Sequence, residues 1–320
     1  MIVEEMNKLD GLHINTFLCS IKSYPRHMHD FHEIIFIVEG SVNIQCACFN
    51  YRLTEGDIFI FDTNELHSIF ETEEKNLLLI FQLDPYPYLP LFPKLDYYDF
   101  VCDSYSDTNK SYIELRNLQS SLANIIIQIQ QNLDSQLIEE YIIKLIELLI
   151  KDFQFIYIDE TGYRNNSTFK NNSVQKERIF TILKYIYRNY KQKIDIERLS
   201  NTLHLEKSYI SRLFKIGTGL SMTDFLCFLR VKYSELLLIS SSFSIDEIAF
   251  KYGFSSKRYY VKHFKKWFNM KPAEYRENYK NLMSEIPNEV QYYEIRQDAA
   301  LESLKDFLIT KAIFEQRNIR

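Results

Sequence analysis

The stretch "HMHDFHEIIFIVEG" (27–40) places three histidines and a glutamate within seven positions. Imidazole nitrogens and a carboxylate at such spacing can hold a transition-metal ion, and with it carry out catalysis. The same groups can instead hydrogen-bond a small ligand from the floor of a pocket. Burying them with no partner at all is implausible, because each unsatisfied buried polar group costs roughly 1–3 kcal/mol. His32 stands apart: side-chain alternation along a strand turns it to the opposite face from Glu33.

These groups must be positioned by strands. Residues 14–83 alternate apolar and polar over short runs ("EIIFIVEG", "SVNIQC", "YRLTEGDIFIF", "HSIFET", "NLLLIFQL") separated by glycines or acidic and polar turns, the spacing of a small antiparallel barrel or sandwich. The proline cluster "DPYPYLPLFP" (84–93) ends that pattern. From Ser111 to Lys151 the period becomes helical, with Leu115, Leu118, Leu122, Ile125, Ile126 and Ile129 on one stripe and Leu137 to Leu149 on a second. The polar run "DETGYRNNSTFKNNS" (159–173) reads as a linker. Helical periodicity resumes from about Lys176 to Lys280, and an amphipathic stretch, "LESLKDFLITKAIF" (301–314), lies in the tail.

The length of 320 residues suits about two domains, and 46% apolar with 15% aromatic residues is enough to bury real cores. Charge is divided unevenly. Residues 174–280 hold 21 Lys/Arg against 10 Asp/Glu, whereas 1–173 hold 12 against 26. A basic segment on an acidic body points to a polyanionic partner for that segment alone. The five cysteines form no CxxC pair, as expected of a reduced intracellular protein. The acidic N-terminus lacks the features of a signal peptide, and the most apolar run, "YIIKLIELLI", is short and interrupted by Lys144 and Glu147. The expectation is a cytoplasmic protein with no membrane partner.

The basic half matches itself at an offset of 50 residues: "SRLFKIGTGLSMTDFL" (211–226) lies over "VKHFKKWFNMKPAEYR" (261–276). Upstream of each copy, apolar residues fall where a helix-turn-helix buries them: Leu199, Leu203, Leu205, Ile210 and Leu213, then Ile248, Tyr252, Phe254, Tyr260 and Phe264. Ser200 and Ala249 are small where two helices must cross, and Gly253 suits a turn of positive φ. The helical stretch 222–240 would hold the copies apart, so that two recognition helices could enter successive major grooves, about 34 Å apart. Lys207, Ser208, Ser211, Arg212 and Lys215 would face DNA from the first copy, and Lys257, Arg258, Lys262 and Lys265 from the second, through phosphates or base edges.

The stretch "IDEIAFKYGFSSKRYYVKHFKKWFNMKPAEYR" resembles the signature of the AraC-type bacterial transcription regulators, and 194–226 resembles their first helix-turn-helix, over about 100 continuous residues. Three positions depart from the pattern. His204 replaces a usual turn glycine, Asn269 stands where glycine is common, and His263, read as a packing residue, replaces an apolar one.

The family resemblance bears on the histidines as well. His27-x-His29-x3-Glu33-x6-Gly40, followed by Gly56, Asp62 and "TNELH" ending at His67, is similar to the two motifs of the cupin barrel. That resemblance implies that His27, His29, Glu33 and His67 converge inside the barrel, where such residues can hold Fe, Mn, Ni or Zn. Asp62 and Asn64 depart from the usual proline and glycine. Many AraC-type regulators carry an N-terminal cupin-like barrel for a small effector, often a sugar. The leading reading is therefore an effector pocket with no metal or other cofactor and no catalytic residue. Tyr24, His27, His29, Phe31, Glu33 and His67 would contact the ligand. A metal-containing sensor, with a divalent ion on His27, His29, Glu33 and His67, comes second.

The expected class is α+β: a cupin-like barrel (1–100), amphipathic dimerisation helices (101–158), a linker (159–175), an all-α domain with two tandem helix-turn-helix motifs (176–280), and a tail of unassigned role (281–320). The expected function is an effector-controlled, sequence-specific DNA-binding transcription regulator and not an enzyme. Its partners would be double-stranded DNA, a small effector such as a carbohydrate, a second copy in a homodimer, and RNA polymerase if it activates. The rival is a metal-dependent cupin enzyme, an isomerase or dioxygenase, which leaves the tandem repeat and the basic segment unexplained.

Overall fold

Strand alternation gives the N-terminal sheet two apolar surfaces, one lining a barrel interior and one facing helices. The computed structural model describes residues 2–318 except 10, 48, 94, 96–97, 103, 106–111, 132–133, 155, 160–161, 166–172, 286–290 and 295–296. In chain order the elements begin with β1 (Ile2–Val3), β2 (Ile14–Met28), β3 (His32–Glu39), β4 (Ser41–Cys46), β5 (Phe49–Thr54), β6 (Ile58–Phe61), β7 (His67–Glu71) and β8 (Leu77–Leu83). Then come α1 (Tyr112–Gln130), α2 (Ser135–Asp152), β9 (Ile156–Asp159), β10 (Gly162–Asn165), α3 (Ser173–Asn189), α4 (Ile196–Leu203), α5 (Lys207–Thr218) and α6 (Met222–Ser240). The last are α7 (Ile245–Lys251), α8 (Lys257–Phe268), α9 (Pro272–Glu285), β11 (Gln291–Glu294) and α10 (Gln297–Asn318).

The barrel sheet runs β5-β4-β7-β2-β8-β3-β6, with β1 parallel and β11 antiparallel to β2. Both faces of β3 are buried, so "HEIIFIVE" holds a continuous apolar run rather than an alternating one. Ile34, Phe36 and Val38 share one core with Leu79 and Phe81 of β8, Leu118 and Leu122 of α1, and Ile142, Leu145 and Leu149 of α2. The leucine and isoleucine stripes of both helices are thus covered within the chain, and Ile113, Leu137 and Tyr141 remain exposed on them.

Two stretches hold more structure than expected. The tail after 281, left without a role by the sequence, joins the barrel: β11 pairs with β2 in register Tyr292 to Ile21 and Tyr293 to Ser20, and α10 buries Ala300, Leu304 and Phe307 in the barrel core. This sheet partner is separated from β2 by most of the chain, and local periodicity carries no signal for such pairing. The expected linker also contains structure: β10 pairs antiparallel with β9, and α3 already begins at Ser173. Its middle, 166–172, lies outside the described residues. By internal contacts the chain divides into two units, one of Met1–Cys46, Asn50–Gln154 and Glu289–Arg320, the other of Phe155–Asn288 with Ala47–Phe49.

In the helical unit, side-chain caps set the helix starts. Asp195 accepts from the Glu197 and Arg198 amides before α4, Ser221 from Asp224 before α6, and Ser256 from Tyr259 before α8. Ser244 and Glu247 form a capping box on α7. The turn after α4 puts His204 at φ +51°, and the matching turn after α7 puts Gly253 at φ +78°. Asn269 closes α8 at φ +55°. Both departures from glycine therefore occupy left-handed positions. His263 is buried edge-on to Tyr259, 4.5 Å between ring centroids, as a packing residue.

Arg230, in the middle of α6, is a feature the sequence reading missed. Its guanidinium donates to the carbonyls of Tyr190 (2.6 Å) and Gln192 (2.8 Å), tying the end of α3 to α6. A basic residue in a basic segment gives no hint that it is 7% exposed and spent on backbone carbonyls.

Candidate functional site

β2, β3 and β7 bring the chemistry-bearing side chains together. His27 and His29 lie at the end of β2 and just beyond it, Glu33 is the second residue of β3, and His67 opens β7 directly across from His27. All four are buried, and one ligand atom from each falls within 4.8 Å of the others. His32 turns the other way, as alternation requires: its Nδ1 lies 3.3 Å from Asp62 and its ring meets Phe100 edge-on.

Each of the three clustered imidazoles sets Nδ1 against a backbone carbonyl: His27 on Pro25 (2.9 Å), His29 on Phe31 (2.9 Å) and His67 on Glu65 (2.8 Å). A carbonyl only accepts, so the network assigns the proton to Nδ1 and leaves a lone pair on each neutral Nε2. Nε2 of His67 lies 3.5 Å, and that of His29 4.0 Å, from the Glu33 carboxylate. Burial holds the His27 pKa well below its ordinary value and lowers that of His29 to about 4, so both rings are neutral at physiological pH. Burial works against charge on Glu33, and only a proton on a facing imidazole would outweigh it and hold the carboxyl below its ordinary range.

The resulting arrangement is three nitrogen lone pairs and one anionic carboxylate, converging in a buried space. The residues therefore fit a divalent ion: Zn, Ni, Fe or Mn each takes His nitrogen and carboxylate oxygen, and carbonyl-anchored Nδ1–H groups are the usual outer support of such ligands. Bound there, such an ion would supply a Lewis-acidic centre for a ligand oxygen.

Beside the cluster lies a cavity of about 360 Å³. Asn15, Tyr24, His27, Glu33 and Gln82 give its wall polar groups, and Phe17, Ile69, Ile80 and Tyr292 give it apolar ones. Of the six residues expected to contact an effector, Tyr24, His27 and Glu33 line this cavity, whereas His29, Phe31 and His67 do not. Phe31 is buried with its ring stacked on His29, 3.9 Å between centroids at 8°, so one of its faces braces an imidazole. Phe61 does the same for His67 at 3.7 Å and 13°. Glu4 and Tyr292 are among the cavity residues that escaped the sequence reading. Glu4 accepts from Tyr24 Oη (2.8 Å) and Gln82 Nε2 (3.0 Å), and Tyr292 arrives on β11. Only the chain pairing of β1 and β11 with β2 brings them there.

The nine residues expected to meet DNA are all exposed, on α5 and α8. Lys207 and Lys257, each at the first position of its helix, are paired with acids on the preceding helix: Lys207 with Glu197 at 3.3 Å and Lys257 with Asp246 at 2.8 Å. Arg212 extends over the Tyr209 ring, 5.6 Å from its centroid. Among the described residues, no helix is long and apolar enough to cross a membrane.

Comparison with known proteins adds to this geometry. A family model described as an AraC-like ligand binding domain matches residues 21–146, and one described as a helix-turn-helix domain matches residues 199–278. The chain is 28% identical over 138 residues to the Msm operon regulatory protein of Streptococcus mutans, covering 43% of this chain and 46% of that protein. It is 23% identical over 250 residues to the lactose operon transcription activator of Staphylococcus xylosus, covering 76% of this chain and 82% of that protein. Among solved structures it is similar to ToxT from Vibrio cholerae, at 13% identity and a TM-score of 0.39, covering 83% of this chain and 98% of that chain. The chain spans less than half the length of the first curated relatives it matches.

Proposed function

We propose, from the match of residues 21–146 to an AraC-like ligand binding domain and of 199–278 to a helix-turn-helix domain, that the chain is an AraC-type transcription regulator whose helical half binds duplex DNA sequence-specifically and whose barrel controls this binding through a small effector. The observation that carries the reading is the matched pair of exposed basic positions, Arg212 and Lys215 on α5 and Lys262 and Lys265 on α8, within a segment of strongly positive charge. We read α4–α5 and α7–α8 as two tandem helix-turn-helix motifs, with α5 and α8 as recognition helices in successive major grooves. The Lys207 and Lys257 pairings leave the more central basic residues of each helix as the principal contacts.

The effector enters the cavity beside Tyr24, His27, Glu33 and Gln82. Its mixture of hydrogen-bonding groups and the Phe17 and Tyr292 rings suits a small carbohydrate, and the relative from Staphylococcus xylosus is by name an activator of a lactose operon. A ligand changes DNA binding only through different affinities for two arrangements of the protein. The protein acts in the cytoplasm, in keeping with four free buried cysteines among the described residues. It works as a homodimer, through what remains exposed on α1 and α2, and it contacts RNA polymerase if it activates. By name the two curated relatives are an operon regulatory protein and an operon transcription activator, which supports a regulator over an enzyme.

The test is binding of the full chain to duplexes selected from a random pool, followed by fluorescence anisotropy across a salt series. Arg212→Ala and Lys262→Ala should each weaken binding, and each should reduce the salt slope by about one if its contact is to phosphate. If both variants bind like the parent, the assignment of α5 and α8 is wrong.

A further inference from the structure

The cavity wall has acceptors to spare and few donors. Three of its side-chain donors are already used on the wall itself. Tyr24 Oη donates to Glu4 (2.8 Å), Gln82 Nε2 to both Glu4 (3.0 Å) and Glu33 (2.9 Å), and Asn15 Nδ2 to the Gln82 side-chain oxygen (3.0 Å). Asn7, an exposed residue, adds one further amide. What the wall still offers is lone pairs, on the carboxylates of Glu4, Glu5 and Glu33 and on His27 Nε2. His27 is 1% exposed and its Nδ1 is committed to the Pro25 carbonyl, so its Nε2 meets Glu4 at 3.4 Å as one acceptor facing another. Among the described residues lining the cavity there is no lysine or arginine to offset the three acids.

The backbone holds this acidic wall in place. β1 pairs with β2 so that Ile2 lies opposite His27, and the Glu4 amide donates to the Met28 carbonyl at 3.0 Å. On the apolar part of the wall Phe17 of β2 and Tyr292 of β11 stand 6.4 Å apart between ring centroids. Aromatic faces carry partial negative charge and attract cations. The hydroxyls of a neutral sugar can donate to the carboxylates, but they leave the charge of the wall uncompensated. An ammonium brings three donors and the opposite charge on one atom, and hydrogen bonds between ions are roughly twice as strong as neutral ones.

We propose that the ligand of this cavity is a small organic cation, a hydroxylated amine of the amino-sugar kind, whose protonated nitrogen is received by Glu4 and whose body lies against Phe17 and Tyr292. This deepens the effector reading above, and rests on it only in taking this cavity as the effector's place. Glu4 is then the residue that selects an amine over the hydroxyl compound of the same shape.

The test uses the full chain made without a histidine tag and kept in chelator. Glucosamine, galactosamine and putrescine are each titrated by calorimetry beside glucose, galactose and 1,4-butanediol, which carry a hydroxyl in place of each amine. At least one amine should bind and raise the melting temperature, about tenfold or more tighter than its hydroxyl counterpart. Glu4→Gln should weaken amine binding about tenfold and leave the counterpart unchanged, so that the discrimination collapses. His32→Gln, on the opposite face, should alter neither and so controls for damage to the barrel. If no amine binds at millimolar concentration, if the hydroxyl counterparts bind as tightly, or if Glu4→Gln discriminates like the parent, the proposal is overturned. Binding that appears only when zinc replaces the chelator overturns it as well, since the amine would then be a metal ligand. An amine that binds yet leaves anisotropy with selected DNA unchanged would overturn the effector reading and leave the preference of the cavity standing.

Discussion

Phe307 of α10 packs edge-on against Phe36 of β3, ring centroids 5.1 Å apart and planes at 74°. A side chain from beyond the helical half therefore completes the barrel core, beside the fully buried Leu304. Phe307→Ala should cost about 3–5 kcal/mol, the usual penalty for emptying a buried aromatic site. Urea unfolding followed by a probe in the barrel measures it. Glu302→Ala, on an exposed position of the same helix, should change stability by less than about 0.5 kcal/mol.

Two left-handed turns of the helical unit, those after α4 and α7, should respond oppositely to exchange. His204 adopts φ +51° with a side chain, so His204→Gly should stabilise the unit by about 1 kcal/mol. At Gly253, φ is +78° and an added Cβ would lie 2.2 Å from the Lys191 carbonyl oxygen. Gly253→Ala should lose at least about 1–3 kcal/mol from the backbone conformation alone. Thermal melts of the two variants beside the parent give the comparison.

Tyr275 donates to the Glu235 carboxylate, joining α9 to α6 through two buried side chains. Tyr275→Phe keeps the ring packing and removes that donor, and should destabilise by about 1–3 kcal/mol. Since Phe at 275 keeps its ring against Phe264 and Phe268 of α8, affinity for DNA at low temperature should hold while the melting temperature falls.

On α6, Asp224 accepts from Lys266 at 2.8 Å, and this bond lowers its pKa from the ordinary 3.8. A carboxylate lowered on folding adds stability above its unfolded pKa and loses it as pH falls through the folded value. The pair is well exposed, so the contribution should stay below about 1 kcal/mol and shrink with salt. Lys266→Met should move only the acid limb of the stability profile, below about pH 5.

The helical unit was readable from sequence because its determinants are local. Asp195, Ser221, Ser244 and Ser256 cap helices within three residues of themselves, and His204 and Asn269 take the left-handed geometry their positions imply. The histidine cluster was readable as residue types on strands. Its tautomers were not, since the carbonyls of Pro25, Phe31 and Glu65 that set them emerge only with the backbone path. Glu4, Tyr292 and Phe307 were illegible for a different reason: β1, β11 and α10 join the barrel across long sequence separations that no periodicity encodes. The stacking of Phe31 on His29 was equally hidden, since which face of an imidazole a neighbouring aromatic covers is a tertiary fact.

The return of β11 and α10 to the barrel has a bearing on synthesis. A chain made from its N-terminus would ordinarily finish its first domain before the next emerges from the ribosome. Here the ring that meets Phe36 lies at position 307, after the whole helical unit has been translated. The nascent barrel must therefore wait with the β2 edge and the Phe36 surface open while that unit is made, and it reaches its final form only as the last helix arrives.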